Sequence, residues 1–112
     1  MSEDRIYLLH VRDAIADILV YAEAGEDAFL RETMRQDAII RKLEVIGEAV
    51  KQLSDDTRDS RPDIPWRRVA GMRDRLIHQY FGVDLDLVWN VVGQELAALA
   101  AAVEDLLARL PG

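Results

Sequence analysis

The sequence contains no cysteine, and this absence excludes disulfide bonds and metal sites built from thiolates. It also lacks any run of about 18 to 20 consecutive apolar residues, the length that a membrane-spanning helix requires. Only two histidines are present, His10 and His78, and acidic residues with metal-ligand spacing are missing around both. We therefore expect a protein with no membrane span, no metal and no other cofactor.

Positive charge is scarce as well, since 14 lysines and arginines stand against 21 aspartates and glutamates, which gives a net charge of −7. This balance excludes a uniformly basic surface, because nucleic-acid backbones are held mainly by lysine and arginine. The segment from Arg58 to Arg75 is an exception, with six arginines and three aspartates. Its arginines suit phosphate, whose geometry the guanidinium group matches. The plainer alternative is a set of solvated ion pairs around a loop.

The chain is long enough for one domain, which we expect to span residues 1–112. Near its start it carries Glu3, Asp4, Asp13 and Asp17, where a signal peptide would have a basic segment followed by an uninterrupted apolar one. We therefore expect a cytoplasmic protein.

The spacing of apolar residues predicts an all-α fold. Steps of three and four between apolar positions are typical of one helical face and occur along the chain, whereas alternating β-branched runs and hairpin dipeptides are missing. We expect an antiparallel up-and-down bundle of four main helices, or five if the segment 26–32 is helical. The predicted main helices span about 4–24, 34–53, 65–82 and 84–110.

Local signals mark the ends of these helices. Residues 33–36 have the capping-box pattern, and Pro65 suits the first turn of a helix. Gly82 suits a left-handed C-terminal cap, and Asp84 or Asp86 can cap the last helix.

Aliphatic residues also fall outside the main apolar stripes, namely Leu8, Ile40, Val45 and Val91. A second apolar face in so small a bundle predicts a partner surface, because monomers rarely expose large contiguous apolar patches. The simplest partner is a second copy, so we expect a homodimer that forms through helix faces. The lone His10 lies among apolar residues and is assigned to packing.

The stretch "RDRLIHQYFG", residues 73–82, carries most of the side chains that suggest chemistry. On the predicted helix Asp74 and His78 are neighbours, whereas Arg73 and His78 differ by about 140° around the axis. Arg73 and His78 can converge through the length of the arginine, through loosening at the helix end, or across two subunits. The sequence leaves these three alternatives open.

Histidine both accepts and donates a proton near neutral pH, and arginine stabilises charge that develops on a phosphate oxygen. His78 and Arg73 therefore suffice for RNA cleavage without a metal. Histidine removes the 2′-hydroxyl proton, and the 2′ oxygen then attacks the adjacent phosphate. The alternative is an ordinary helix end, where Asp74 accepts from His78, Arg73 and Arg75 point to water, and Tyr80 is half-buried.

The spacing Arg73-(four residues)-His78-Gln79-Tyr80 resembles the R-x-x-x-x-H-x-Y motif of the HEPN ribonuclease superfamily, specifically its HepT-like toxins. The likeness extends to "DAIIRKLEVIGEAVKQLS" at 37–54 and to "IPWRRVAGMRDRLIHQYFGVDLDLVW" at 64–89. It thus covers most of the chain.

The resemblance implies an all-α homodimer that acts as a metal-independent ribonuclease, with the motifs of two subunits facing a shared cleft. Arg73 and His78 match the catalytic positions, and Asp74 matches the polar residue that orients the histidine. Tyr80 matches the tyrosine that a cognate minimal nucleotidyltransferase (MNT) antitoxin modifies with AMP. We expect further RNA phosphate contacts from the other arginines of this region, Arg67, Arg68 and Arg75.

The function expected is that of an endoribonuclease toxin in a type VII HEPN/MNT toxin–antitoxin system. Its products would be a 2′,3′-cyclic phosphate and a 5′-hydroxyl, and AMP on Tyr80 would neutralise it. The alternative is a non-catalytic subunit that binds a nucleotide or presents a substrate to a separate nucleotidyltransferase.

Overall fold

The computed structural model describes residues 3–78 and 82–110, apart from the side chain of His78. Within these residues the chain forms eight helices and one short antiparallel hairpin. The helices are α1 (Glu3–Ala22), α2 (Glu26–Arg31), α3 (Thr33–Lys51), α4 (Asp55–Asp59), α5 (Trp66–Ala70), α6 (Met72–Leu76), α7 (Leu85–Gln94) and α8 (Leu96–Arg109). The hairpin strands, β1 (Ile77–His78) and β2 (Gly82–Val83), lie between α6 and α7.

Helices α1 and α3 form the centre of the bundle and run antiparallel. The Asp4 carboxylate at the start of α1 accepts hydrogen bonds from Ser54, just beyond the end of α3. At the other end, Arg35 of α3 donates to the carbonyl of Tyr21. Helix α8 packs on α1, whereas α5 and α6 pack on α3. The predicted all-α fold is confirmed.

The core is aliphatic and lies between these helices. Its fully buried members include Ile18, Leu43, Ile46 and Val103. Each such side chain contributes about 1.5–3 kcal/mol through its removal from water. None of the helices in the described part of the chain combines the length and the apolar character needed to cross a membrane.

The predicted bounds of the first two main helices are correct to within two residues, and the optional short helix is present as α2. The predicted capping box is wrong. Thr33 is already inside α3, whose N-cap is Glu32. The side chain of Gln36 instead donates to the carbonyls of Phe29 and Leu30, so it binds the end of α2.

The predicted third helix, 65–82, is not continuous. It divides at Gly71 into α5 and α6 and ends at Ile77, which has extended backbone angles. Beyond this point Ile77 pairs with Val83 and the backbone of His78 pairs with Gly82, so these residues form hairpin contacts rather than a helical turn. Gly82 has the predicted left-handed conformation, with φ 78°, but it lies in the hairpin.

The predicted last helix is also divided, because α7 ends before Glu95 and α8 begins after it. The predicted cap at its start is confirmed, since the Asp84 carboxylate accepts from the backbone N–H of Leu87 at 3.0 Å. The segment between α3 and α5 contains the short helix α4. That helix is capped by the Ser54 hydroxyl, which accepts from the N–H of Thr57.

The expectation that Leu8, Ile40, Val45 and Val91 form a partner surface is wrong. Leu8, Ile40 and Val91 are buried within the single chain, and Val45 packs against the core. Different apolar side chains are exposed, namely Ile6, Leu19, Val20, Leu30 and Met34. The assignment of His10 to packing is also wrong, because His10 is exposed and only touches the edge of the Tyr7 ring.

Asp4 joins the start of α1 to the residues that follow α3. Burial alone would raise the pKa of this carboxyl, but hydrogen bonds from Ser54 and Thr57, helped by the charge of Arg58, outweigh burial and lower it. The charged form is thus favoured in the folded state. Asp4 contributes stability above the ordinary carboxyl pKa, and this contribution is lost as pH falls through the lowered value.

We expect Asp4→Ala to lower the free energy of unfolding at neutral pH by about 1.5–3 kcal/mol, the value of hydrogen bonds to a charged group. The difference between this variant and wild type should shrink as the pH is lowered below 4. Urea unfolding at several pH values measures both effects. Asp13→Ala on the exposed face of α1 is the matched control and should change stability little. An Asp4→Ala loss that is independent of pH would contradict this role.

Candidate active site

The arginine-rich segment is held on α3 by buried side chains at its inner face. The indole N–H of Trp66 donates to the carbonyls of Arg58 and Arg61, both at 3.0 Å, and so joins α5 to the preceding turn. Val69, Met72 and Leu76 are buried. Four charged side chains of α5 and α6 are exposed on the opposite side, namely Arg67, Arg68, Arg73 and Asp74.

Gly47 on α3 allows the close approach of this segment. A β-carbon at this position would lie 3.2 Å from the carbonyl oxygen of Val69 and 3.3 Å from that of Ala70. Both distances are shorter than an ordinary van der Waals contact, and both partners are backbone atoms. The position of α5, and of the arginines on it, therefore depends on the absence of a side chain at Gly47.

Arg73 is accessible at the surface of α6. Its side chain is 67% exposed and its Nε lies 3.6 Å from a carboxylate oxygen of Glu44 on α3. This contact is longer than a strong charge-assisted hydrogen bond. The guanidinium of Arg73 therefore remains accessible to an incoming phosphate.

Arg75 is in a different environment from Arg73. Its two terminal nitrogens donate to both carboxylate oxygens of Glu95, at 3.1 and 3.0 Å, and only 17% of its side chain is exposed. The alternative in which Arg75 points to water is wrong. In the chain alone the guanidinium of Arg75 is occupied by a bidentate carboxylate, and its contact with RNA phosphate stays a prediction.

Glu95 lies at the break between α7 and α8 and also faces Arg68, whose Nη2 is 3.7 Å from its carboxylate. The hydrogen bonds from Arg75 lower the pKa of Glu95, and the charges of Arg75 and Arg68 add to this effect against partial burial. Glu95 is thus charged, and it links α6 to the start of α8.

Arg67, Arg68 and Asp74 are exposed. Within residues 3–78 and 82–110, Arg67 and Asp74 form no ion pair. Arg67, Arg68 and Arg73 thus provide three accessible guanidinium groups on two consecutive short helices. Such a surface attracts phosphate although the net charge of the chain is −7.

The predicted helical relation between Asp74 and His78 does not hold. Asp74 is in α6, whereas His78 is in β1, so the four-residue spacing no longer places them on one helical face. The orientation of the His78 side chain and the whole of Tyr80 lie outside what the structure describes. The backbone of His78 is fixed by pairing with Gly82, directly after the helix that carries Arg73.

Glu44 and Glu95 are contacts of the site that the sequence interpretation missed. Glu95 had a signal, since it is the single charged residue between Asp86 and Glu104 in an otherwise apolar segment. No feature of the sequence distinguishes Glu44, because it is one of several acids on the solvent side of α3. Among the side chains that the structure describes, no three histidines or carboxylates converge as metal ligands would.

Comparison with known proteins assigns the family. The family described as "Ribonuclease HepT-like" matches residues 11–106. A "Probable ribonuclease HepT" from Thermococcus cleftensis is 42% identical over 89% of this chain and 92% of its own length. A "Putative RNase" from Caldanaerobacter subterraneus subsp. tengcongensis is 37% identical over 96% of both chains.

A "Gamma-glutamylcyclotransferase and putative RNase" from Methanocaldococcus jannaschii is 41% identical over 95% of this chain, which spans 48% of that longer protein. No solved structure gives a significant match. The family match and the relatives cover the bundle together with the arginine-rich segment. The chain therefore belongs to the HepT-like ribonuclease family.

Proposed function

We propose that the chain is a metal-independent endoribonuclease toxin of a type VII HEPN/MNT toxin–antitoxin system, acting in the cytoplasm as a homodimer. The observation that carries this proposal is the position of Arg73. Its side chain is accessible and lies on the short helix α6, which directly precedes His78 and follows the exposed Arg67 and Arg68 of α5. Family membership supports the reaction class.

In the proposed reaction the imidazole of His78 takes the proton of a ribose 2′-hydroxyl. The 2′ oxygen attacks the adjacent phosphorus, and the bond from phosphorus to the 5′ oxygen breaks. The leaving 5′ oxygen takes a proton, so the products are a 2′,3′-cyclic phosphate and a 5′-hydroxyl. Arg73 stabilises the charge that develops on the phosphate oxygens, and Asp74 orients His78.

Arg67 and Arg68 hold the phosphates that flank the cleaved bond. Arg75 contributes by fixing Glu95 beside Arg68, and the contacts at 3.0 and 3.1 Å support this structural role. Binding by exposed arginines depends strongly on salt, because each phosphate contact releases counterions.

We expect Arg67→Ala to reduce the slope of log affinity against log salt by about 0.7, the value for one contact with single-stranded nucleic acid. Arg68→Ala should reduce it by less, because Glu95 already shares its charge. The measurement is binding of 2′-O-methyl RNA, which has no 2′-hydroxyl to react, at several salt concentrations. Arg31→Ala, at an exposed arginine of α2, is the control. An unchanged slope in Arg67→Ala would exclude Arg67 from the RNA contact.

Tyr80 is proposed as the regulatory residue. Its hydroxyl oxygen attacks the α-phosphorus of ATP on the partner nucleotidyltransferase, pyrophosphate leaves, and AMP remains on the tyrosine. The added phosphate carries negative charge into a site that must attract RNA phosphate. Modification therefore blocks the toxin by electrostatic repulsion and by bulk.

Incubation with an MNT enzyme and ATP is expected to add the mass of AMP to Tyr80 and to abolish RNA cleavage. Intact mass, peptide mapping and a cleavage assay follow both changes. Tyr80→Phe should take up no AMP and should escape inhibition, whereas Tyr7→Phe should be modified like wild type. Modification at another residue, or full cleavage by the modified chain, would refute this regulation.

A further inference from the structure

A recess lies beside the exposed Arg68 and has no part in the function described so far. It has a volume of about 210 Å³ and is bounded by α5, α6, the residues before α5, and the junction of α7 with α8. Its floor consists of the buried side chains of Val69, Met72, Leu96 and Leu99. The recess is therefore an apolar slot at the protein surface.

Two ion-pair systems hold the walls of this recess in place. Arg61 donates to Asp63 at 2.8 and 2.9 Å and to Asp105 of α8 at 3.0 Å, which ties the segment before α5 to α8. On the other side, the Glu95–Arg75 pair ties α6 to the start of α8. The slot thus exists before any ligand arrives, which reduces the entropic cost of binding.

The rim is polar where the floor is apolar. Gln94 and Glu95 both border the recess, and Gln94 is exposed, with a carboxamide that offers donors as well as an acceptor. The guanidinium of Arg68 lies 3.7 Å from Glu95 at the same edge. A ligand that fits this arrangement has a planar apolar body, hydrogen-bonding edges and a neighbouring phosphate.

A nucleotide has all three properties. An apolar cavity of about 150 Å³ is enough to bind benzene, so the recess is large enough for one nucleobase. A base that leaves its stack can be held in a protein pocket between aromatic or apolar side chains, with hydrogen bonds to its edge. Free phosphate would use only the rim, and an aliphatic chain would leave the rim groups unused.

We propose that the recess binds the base of a nucleotide next to the cleaved phosphate and thereby sets the nucleotide preference of the enzyme. This inference rests on the proposed ribonuclease function for its biological meaning. The binding step itself is independent of cleavage and can be measured separately.

Ala98→Trp is designed to fill the recess from its edge, since Ala98 borders it and is exposed. Ala108→Trp places the same side chain at an exposed position farther along α8, outside the recess, and serves as the matched control. Thermal unfolding verifies that both variants are folded. Gln94→Ala is a second variant, which removes the polar edge without adding bulk.

The first readout is binding of the four nucleoside monophosphates compared with ribose 5-phosphate, which lacks the base. Wild type and Ala108→Trp should bind at least one nucleotide about tenfold more tightly than ribose 5-phosphate, because burial of a base adds affinity. Ala98→Trp should lose this difference, and Gln94→Ala should reduce it. Equal binding of nucleotide and ribose 5-phosphate by wild type, or an unchanged difference in Ala98→Trp, would overturn the proposal.

The second readout is the sequence at cleavage sites in a random RNA pool. Wild type and Ala108→Trp should share a preference at one position beside the cleaved bond, and Ala98→Trp should lose it. A preference unchanged in Ala98→Trp would overturn the recess as its source. If wild type cleaves no RNA, the proposed function fails, and the nucleotide-binding experiment still decides whether the recess takes a base.

Discussion

Replacement of His78 by alanine is expected to lower the rate of RNA cleavage by about 10² to 10⁴-fold, the usual contribution of a general acid–base group. The reason is that histidine is the side chain that exchanges protons near neutral pH, and His78 is the one histidine in the motif. The backbone pairing of His78 with Gly82 does not require the imidazole. The fold should therefore persist, and single-turnover cleavage is the appropriate measurement.

His10→Ala is the matched control for this experiment. His10 is the other histidine of the chain and is exposed on α1, outside the motif of residues 73–80. Its replacement should leave the cleavage rate within about twofold of wild type. A His78→Ala variant that is folded and still cleaves at the wild-type rate would remove His78 from the reaction.

Replacement of Arg73 by alanine is expected to reduce the cleavage rate constant by about 10² to 10³-fold, as for the loss of one donor that stabilises a developing anion. The guanidinium of Arg73 is accessible to a phosphate, since the side chain is 67% exposed and its contact with Glu44 is long. The effect should fall on kcat more than on KM if Arg67 and Arg68 hold the flanking phosphates as we propose. Arg73→Lys should give an intermediate rate, since it keeps the charge and loses the planar fork.

Arg31→Ala removes an exposed arginine elsewhere on the surface and controls for the loss of one positive charge. The loss of cleavage rate in Arg31→Ala should be at least tenfold smaller than the loss in Arg73→Ala. Equal losses in the two variants at low salt would indicate a general electrostatic effect. Arg73 would then have no specific place at the reacting phosphate.

The sequence predicts the helices well where periodicity and burial agree. The stripe on the second main helix, with Ile39, Leu43, Ile46 and Val50, is buried throughout. The same reasoning misjudged Leu8 and Val91, which lie off the main stripes and are fully buried. The cause is that α1 and α7 each contact more than one neighbour, so a wider part of each surface is covered than a single stripe implies.

The candidate site was harder to predict because its geometry depends on contacts that are distant in sequence. The early end of the third helix coincides with the pairing of Ile77 with Val83, and the position of Arg75 depends on a carboxylate 20 residues away. Helix periodicity contains no information about either contact. The motif of residues 73–80, by contrast, is local in sequence. Its residue types, and the chemistry that they suggest, can therefore be identified without knowledge of the fold.

The proposed reaction requires the 2′-hydroxyl of RNA as the nucleophile, and the ends of the cleaved RNA show whether it is. An RNA of defined sequence and its 2′-O-methyl counterpart are incubated with the unmodified protein in the presence of a chelator, and the products are analysed by mass spectrometry. We predict 2′,3′-cyclic phosphate and 5′-hydroxyl ends from the RNA and no cleavage of the 2′-O-methyl strand. Products with 5′-phosphate ends, or equal cleavage of both strands, would show that the 2′-hydroxyl is not the nucleophile.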